Sequence, residues 1–180
     1  MIGGRSQKAS LGVDVALISQ NTASVDIQIS PTFSKRITRS WISRVMKQIV
    51  GEKYRSQDIE ISVVITDDEV MKNLNLKFMG YDETTDVLAF PMEDKADTNT
   101  ETYIQFPSIY DHNTQLGEII ISYPQAKRQA SLAKKTIKSE LLLLLVHGFL
   151  HLLGYDHAYP VEKEDMWRKQ DEIIATISVN

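Results

Sequence analysis

The sequence predicts an α+β fold in which a four-stranded mixed sheet packs against about five helices. Alternating apolar residues mark separate strands, and segments of helical periodicity lie between and after them. The predicted order is strand, helix, strand, helix, strand, strand and then three helices. A chain of 180 residues, 42% of them apolar and 24% charged, is long enough to bury one core of this kind.

The first part of the chain alternates between strands and helices. Residues 25–29 alternate at period two and predict a strand, and residues 59–65 predict a second one. Apolar residues at helical spacing predict a helix over residues 34–50 between them. The Thr-Asp-Asp-Glu sequence at residues 66–69 has the pattern of a capping box, so a second helix is predicted from there to about Phe78.

The later part of the chain contains two strands and three helices. Pro91 is predicted to end the first strand, Pro124 precedes the first helix, and Pro160 suits the first position of the last helix. The strands are predicted at residues 87–90 and 116–122, and the helices at about residues 125–132, at residues 136–153 (the longest helix), and from residue 160 onward.

Two segments have no periodic pattern. Residues 1–22 are predicted to be a disordered N-terminal extension, and residues 23–180 to form a single domain. Residues 93–115 are polar and acidic and contain Pro107, which predicts a long excursion between two strands.

Composition excludes several classes of protein. Cysteine is absent, so the chain has neither disulfides nor a thiolate metal site. The apolar run at residues 141–146 is predicted to be the buried centre of the helix packing. It is far shorter than the roughly 20 residues that span a bilayer. The N-terminus lacks the apolar core of a signal peptide. We therefore expect a soluble, cytoplasmic protein with no membrane partner.

The net charge of −4 argues against broad, nonspecific affinity for nucleic acid. Two basic clusters nevertheless stand out, one in the first predicted helix and one before the histidine-bearing helix. A solvated helix face and a phosphate-binding surface both explain such clusters, and both interpretations stay open. The clusters are Lys35, Arg36, Arg39, Arg44 and Lys47, and Lys127, Arg128, Lys134, Lys135 and Lys138.

Three of the four histidines lie within eleven residues. His147 and His151 are four residues apart and therefore share one face of the predicted helix. Gly154 lies where a helix can end in a left-handed turn, and this turn can return His157 to the same point. Three imidazoles with a fourth position left for water are typical of a catalytic Zn²⁺ site. The adjacent Tyr155 and Asp156 are candidates to orient the ligands.

The spacing H-x-x-x-H-x-x-G-x-x-H is also that of the metzincin proteases. In those enzymes a glutamate directly follows the first histidine and serves as general base. Here that position is Gly148, which has no side chain to accept a proton. A metallopeptidase-like hydrolase therefore remains an alternative that Gly148 opposes.

Three segments resemble the signatures of the YbeY-type bacterial endoribonucleases. The first is the histidine segment, residues 147–157. The second, residues 85–91, resembles the family's T-D-V-L-S-F-P strand, with Ala89 in place of serine. The third, residues 116–122, resembles its L-G-D-I-V-I-S strand, with Glu118 in place of aspartate.

The resemblance implies a zincin-like site with one Zn²⁺ per chain, held by His147, His151 and His157 on a helix and its following turn. It implies a metal-dependent hydrolase that cleaves single-stranded RNA. It further implies maturation of ribosomal RNA, including the 3′ end of the small-subunit (16S) rRNA, and ribosome quality control. The implied partners are ribosomal RNA, ribosomal subunits and protein factors of ribosome assembly.

The expected catalytic groups centre on the metal. His147 and a metal-bound water are the first candidates, because a bound metal lowers the pKa of water and polarises a phosphoryl oxygen. Asp86 and Asp156 are candidate general bases, since each lies within or beside a family motif.

One family position differs in this chain. The family has an arginine in a pattern like N-x-x-Y-R-G, and Met79 occupies that position here. Lys77, Lys127 and Arg128 are the candidates to bind RNA phosphate in its place. Because methionine cannot neutralise a phosphate, a non-catalytic, metal-stabilised ribosome assembly factor stays open as a third hypothesis.

Overall fold

The computed structural model describes residues 23–51, 59–92, 114–157 and 159–177. Over these residues the predicted order of four strands and five helices is confirmed. The predicted extension at residues 1–22 and nearly all of the excursion at residues 93–115 lie outside the described residues. The elements are β1 (Ser24–Ile29), α1 (Arg39–Val50), β2 (Ile59–Thr66), α2 (Asp68–Met79), β3 (Val87–Pro91), β4 (Thr114–Ser122), α3 (Tyr123–Leu132), α4 (Ile137–Leu152) and α5 (Pro160–Ala175).

The four strands form one mixed sheet, as predicted, and their spatial order in it is β1-β2-β4-β3. The pairs β1–β2 and β2–β4 are parallel, and β3 lies antiparallel to β4 at the edge. Strand β2 alternates along its length and buries one face against the helices. The buried side chains of that face are Ile59, Ile61, Val63 and Ile65.

Helix α4 is the central helix of the helical layer. It contacts β3 and β4 as well as α1, α3 and α5. Such a helix has apolar residues over most of its surface, because neighbours surround it. The predicted packing centre at residues 141–146 is confirmed, since all but Leu143 are buried there. This packing fixes the end of α4, which carries the histidines, relative to the sheet.

Two predicted helix starts are wrong. The capping box at residues 66–69 is absent, because Thr66 is the last residue of β2 and Asp67 is the N-cap of α2. The Asp67 side chain accepts a hydrogen bond from the Val70 N–H at 3.0 Å. Helix α1 begins at Arg39 rather than at residue 34, because Thr38 caps it.

Smaller differences occur in the second half. Ser122 caps α3, which therefore begins at Tyr123 and contains Pro124 in its first turn. Strand β3 includes Pro91, which an edge strand tolerates because one side of its backbone needs no partner. Helix α4 has 16 residues, the same length as α5, so it is not the single longest helix. None of the described helices is both long and apolar enough to cross a membrane.

Candidate metal centre

Helix α4 ends in the left-handed turn that the sequence predicts. Gly154 has φ +84°, a conformation in which an L side chain is strained. Its N–H donates to the His151 carbonyl at 2.9 Å, and the Tyr155 N–H donates to the Leu150 carbonyl at 3.0 Å. These two hydrogen bonds define a Schellman motif. The motif reverses the chain and returns His157 towards the helix.

The three predicted histidines come together at this turn. The ring centroids are 4.7 Å apart for His147 and His151, 5.6 Å for His147 and His157, and 5.1 Å for His151 and His157. One possible ligand atom from each lies within 4.8 Å of the other two. His147 and His151 are half-buried and His157 is exposed, so the cluster has one side open to solvent.

The hydrogen bonds of the first two histidines suit a metal. The Nδ1 of His147 donates to Oε1 of Gln170 on α5 at 3.1 Å, and the Nδ1 of His151 donates to the Tyr155 carbonyl at 2.9 Å. Each neutral ring therefore carries its lone pair on Nε2. These two Nε2 atoms are 3.1 Å apart, a distance at which two lone pairs repel unless a cation or proton lies between them. Tetrahedral ligands about 2.0–2.1 Å from Zn²⁺ are separated by similar distances.

Burial keeps these rings in the form that binds metal. Desolvation lowers the pKa of His147, and the Gln170 hydrogen bond opposes this effect. Desolvation also lowers the pKa of His151, and the neighbouring imidazoles of His147 and His157 lower it further. Both rings are therefore neutral at neutral pH, as metal ligation requires.

Asp86, a candidate general base, has both carboxylate oxygens engaged. Its Oδ1 accepts hydrogen bonds from the Val87 N–H at 2.8 Å and from the Thr85 hydroxyl at 3.2 Å. Its Oδ2 accepts from Nε2 of Gln129 on α3 at 2.9 Å. The negative charge of Asp86 raises the pKa of His147, so the carboxylate lies within electrostatic range of that ring. These contacts suit a fixed anion better than a mobile proton acceptor.

Asp156 belongs to the turn itself. Its Oδ1 accepts a hydrogen bond from the backbone N–H of His157 at 2.7 Å. Its charge also raises the pKa of His151. The contact with His157 suits a role in positioning that ligand. Tyr155 contributes through its backbone carbonyl rather than its hydroxyl.

The candidate phosphate-binding residues lie on α2 and α3. Nη1 of Arg128 forms an ion pair with Oδ2 of Asp68 at 2.8 Å, so its guanidinium is already engaged. Nζ of Lys77 lies 4.9 Å from the centroid of the Phe78 ring. Lys127 is exposed on α3. Met79 is the exposed last residue of α2.

Sequence reasoning did not single out three polar residues near the site. Gln170 and Gln129 lie 23 and 43 residues from their partners along the chain, and no periodic pattern links them. Glu140 lies two helical turns before His147, and that spacing was an available signal. The Glu140 side chain is only 6% exposed. Burial raises its pKa, as does the charge of Asp86, whereas Lys135 lowers it.

The mixed sheet, the layer of helices packed on it and the three histidines at the end of α4 define the class of protein. It is an α+β protein with an open candidate metal centre of three histidines. Comparison with known proteins identifies the family. A family model described as Endoribonuclease YbeY matches residues 24–178. The chain therefore belongs to the endoribonuclease YbeY family, a family of hydrolytic nucleases, which confirms the resemblance seen in the sequence.

Individual relatives agree over most of the chain. Endoribonuclease YbeY of Dehalococcoides mccartyi (strain 195) is 39% identical over 147 residues, which cover 82% of this chain and 86% of the relative. The protein of the same name from Persephonella marina is 36% identical and covers 79% of this chain and 86% of its own length. A solution structure from Thermotoga maritima matches with a TM-score of 0.54 and 25% identity, and covers 84% of this chain and 87% of that one.

Proposed function

We propose that this chain is a zinc-dependent endoribonuclease that cleaves single-stranded RNA. The observation that carries the proposal is the pair of Nε2 atoms of His147 and His151, which face each other at 3.1 Å while both Nδ1 atoms donate elsewhere. The relatives are named endoribonucleases, which supports RNA as the substrate.

Contact between α4 and the sheet supports a nuclease over a peptidase. A Cβ atom added at Gly148 would lie 2.7 Å from Cγ2 of Ile119 on β4. The position that carries the general base in metzincins therefore faces the sheet at close range. A glutamate at residue 148 has no room unless Ile119 or α4 shifts.

His147, His151 and His157 would hold the zinc, which when bound supplies a Lewis acid that polarises a phosphoryl oxygen and lowers the pKa of water. The chain's own residues prepare this site. Gln170 and the Tyr155 carbonyl fix the orientation of two rings, and Asp86 holds a negative charge near His147. The exposed side at His157 gives an RNA strand access to the centre.

The same proposal includes a biological setting. The substrate would be ribosomal RNA, including the 3′ end of the small-subunit (16S) rRNA, in the cytoplasm. The partners would be ribosomal subunits and assembly proteins, and the role would extend to ribosome quality control. Residues 23–180 would form the single catalytic domain.

The proposal is tested with the purified full chain and a labelled single-stranded RNA that spans the 3′ end of the small-subunit rRNA, beside a fully paired duplex of the same sequence. We expect cleavage of the single strand only, loss of cleavage with a chelator, and recovery on addition of Zn²⁺. His147→Ala should lose both cleavage and bound zinc. His112→Ala, the histidine outside the cluster, is the matched control and should keep both.

Equal cleavage by the parent, the chelated protein and His147→Ala would identify a contaminating nuclease and remove the proposal. Zinc-dependent cleavage of a peptide library without cleavage of RNA would favour the peptidase alternative.

A second candidate function is a non-catalytic ribosome assembly factor that the metal only stabilises. Met79, in place of the family's arginine, is the observation that favours it. Met79→Arg separates the two functions, with Met79→Leu as the control. If the parent protein binds zinc and ribosomal subunits but cleaves no RNA, and Met79→Arg restores cleavage, the assembly factor is the better description.

A further inference from the structure

A basic groove of about 400 Å³ lies at the N-terminal end of α1, away from the histidines. This volume is within the range of small-ligand sites, roughly 300–1,000 Å³. Three cationic side chains line the groove, and no carboxylate does, although the whole chain has a net charge of −4. The lining residues are Arg36, Ile37, Thr38, Ser40, Trp41, Arg44 and Lys138.

Two of the cations are available to a ligand. Within the part of the chain that the structure describes, Arg36 and Lys138 form no ion pair. By contrast, Lys72 and Arg128 each pair with an aspartate at 2.8–3.2 Å. A solvated helix face commonly intersperses its cations with carboxylates. Because Arg36 and Lys138 pair with no carboxylate of the described residues, an anionic ligand explains these two cations better than a solvated face does.

The start of α1 adds a positive potential to the groove. Thr38 caps the helix and accepts a hydrogen bond from the Trp41 N–H at 3.3 Å. The first turn of α1 contains no acidic residue, so the positive end of its dipole has no compensating charge. Backbone N–H groups at such an end are suited to phosphate oxygens.

Trp41 provides an independent indication of a ligand. It lines the groove and is 6% exposed, yet its buried indole Nε1–H has no hydrogen-bond partner in the described structure. A buried donor without an acceptor costs roughly 1–3 kcal/mol. Because Nε1 itself is buried, an anion oxygen in the groove reaches it only after the Trp41 ring moves outward.

We propose that this groove is a second RNA-binding site, which holds phosphate groups of a single strand away from the metal centre. The identity of the ligand rests on the proposed function, because the substrate of that function is single-stranded RNA. Among anions, the phosphates of such a strand suit two separated cations together with a helix N-terminus.

The groove is separate from the histidine cluster. Lys138 and His147 are nine residues apart on α4, which corresponds to about 14 Å along the helix axis and to opposite sides of the helix. A strand must therefore contain several nucleotides to reach both places. The groove then contributes to affinity for a flanking part of the substrate and leaves the bond-breaking step unchanged.

Fluorescence anisotropy with a 20-nucleotide, 2′-O-methylated single-stranded RNA, which resists cleavage, tests the proposal. We expect Arg36→Gln combined with Lys138→Gln to weaken binding about tenfold. The loss of two phosphate contacts should also reduce the slope of log affinity against log salt by about 1.4, or about 0.7 for each contact.

The matched control is Lys47→Gln combined with Lys72→Gln, which removes the same charge outside the groove. If this control and the groove variant have equal affinity and equal salt slope, the proposal is wrong. The two indole N–H signals give a second readout in nuclear magnetic resonance spectra. RNA should shift the Trp41 signal, and a shift confined to Trp167 would overturn the location.

These outcomes are independent of catalysis. If the protein cleaves RNA and the groove variant binds like the control, only the groove proposal fails. If the protein cleaves no RNA but the groove variant alone loses affinity and salt slope, only the proposed catalytic function fails.

Discussion

His151 donates a hydrogen bond from Nδ1 to the backbone carbonyl of Tyr155 across 2.9 Å. The acceptor belongs to the turn that ends α4, so the helix terminus itself orients one of the candidate ligands. The bond requires the turn at Gly154, but not the side chain at residue 155. The turn that ends α4 therefore also sets the orientation of the His151 ring.

Metal retention should follow the lowered pKa values of His147 and His151. Because burial lowers both values, a pH below the ordinary histidine value of 6.5 is needed to protonate the rings. We expect the protein to keep its zinc at pH 6.5 and to lose it only at more acidic pH. Zinc content after dialysis at a series of pH values measures this, and release near pH 7 would contradict it.

The same shifts determine the stability of the metal-free protein. Below pH 6.5 the unfolded chain binds protons to these histidines more readily than the folded chain does. The free energy of unfolding of chelated protein should therefore fall as the pH falls from 6.5. Chemical denaturation in chelator at several pH values measures it, and His147→Ala should reduce the dependence.

Gly154→Ala should weaken both the fold and the metal centre. A side chain at φ +84° costs roughly 1–2 kcal/mol, and relief of that strain would displace the turn that carries His157. We expect a lower free energy of unfolding in urea and weaker zinc affinity. Gly154→Asn is the matched variant, since asparagine tolerates this conformation, and it should lose less of both. An equal loss in the two variants would exclude backbone strain as the cause.

Gly148→Ala should destabilise the protein through contact with Ile119. The added Cβ would lie 2.7 Å from Cγ2 of a fully buried, branched side chain, and such overpacking costs about 1–3 kcal/mol. Ile119→Ala removes the atoms that clash but leaves a cavity. In a double-mutant cycle the two substitutions together should cost less than their sum. Strict additivity of the two free energies would rule out the proposed contact.

Glu140→Gln should stabilise the protein at neutral pH. Burial and the charge of Asp86 raise the pKa of Glu140, so its ionised form costs free energy in the folded state. For a raised carboxyl pKa, stability is greatest below the ordinary value of 4.5 and falls as the pH rises through the folded value. The variant lacks this dependence, so its melting temperature should exceed that of the parent at pH 7. A lower melting temperature would mean that the carboxylate makes a stabilising contact.

Local patterns in the sequence predicted most of the fold. Period-two alternation located β1 and β2, and the run at residues 141–146 located the centre of helical packing. Errors occurred at helix starts, where Thr66 and Asp67 both belong to residue types that cap helices. In the structure Thr66 pairs with Ser122 as the last residue of β2. Asp67 is therefore the residue that caps α2.

The sequence by itself determined the family, the three histidines and the turn at Gly154, because these depend on spacing within a few residues. Only the tertiary structure decided which distant groups complete the site. Gln170 reaches His147 from α5, Gln129 reaches Asp86 from α3, and Lys138 joins the basic groove of α1. The physical reason is that these contacts form where helices pack around α4. The sequence of one helix does not show which distant helix its polar side chains will contact.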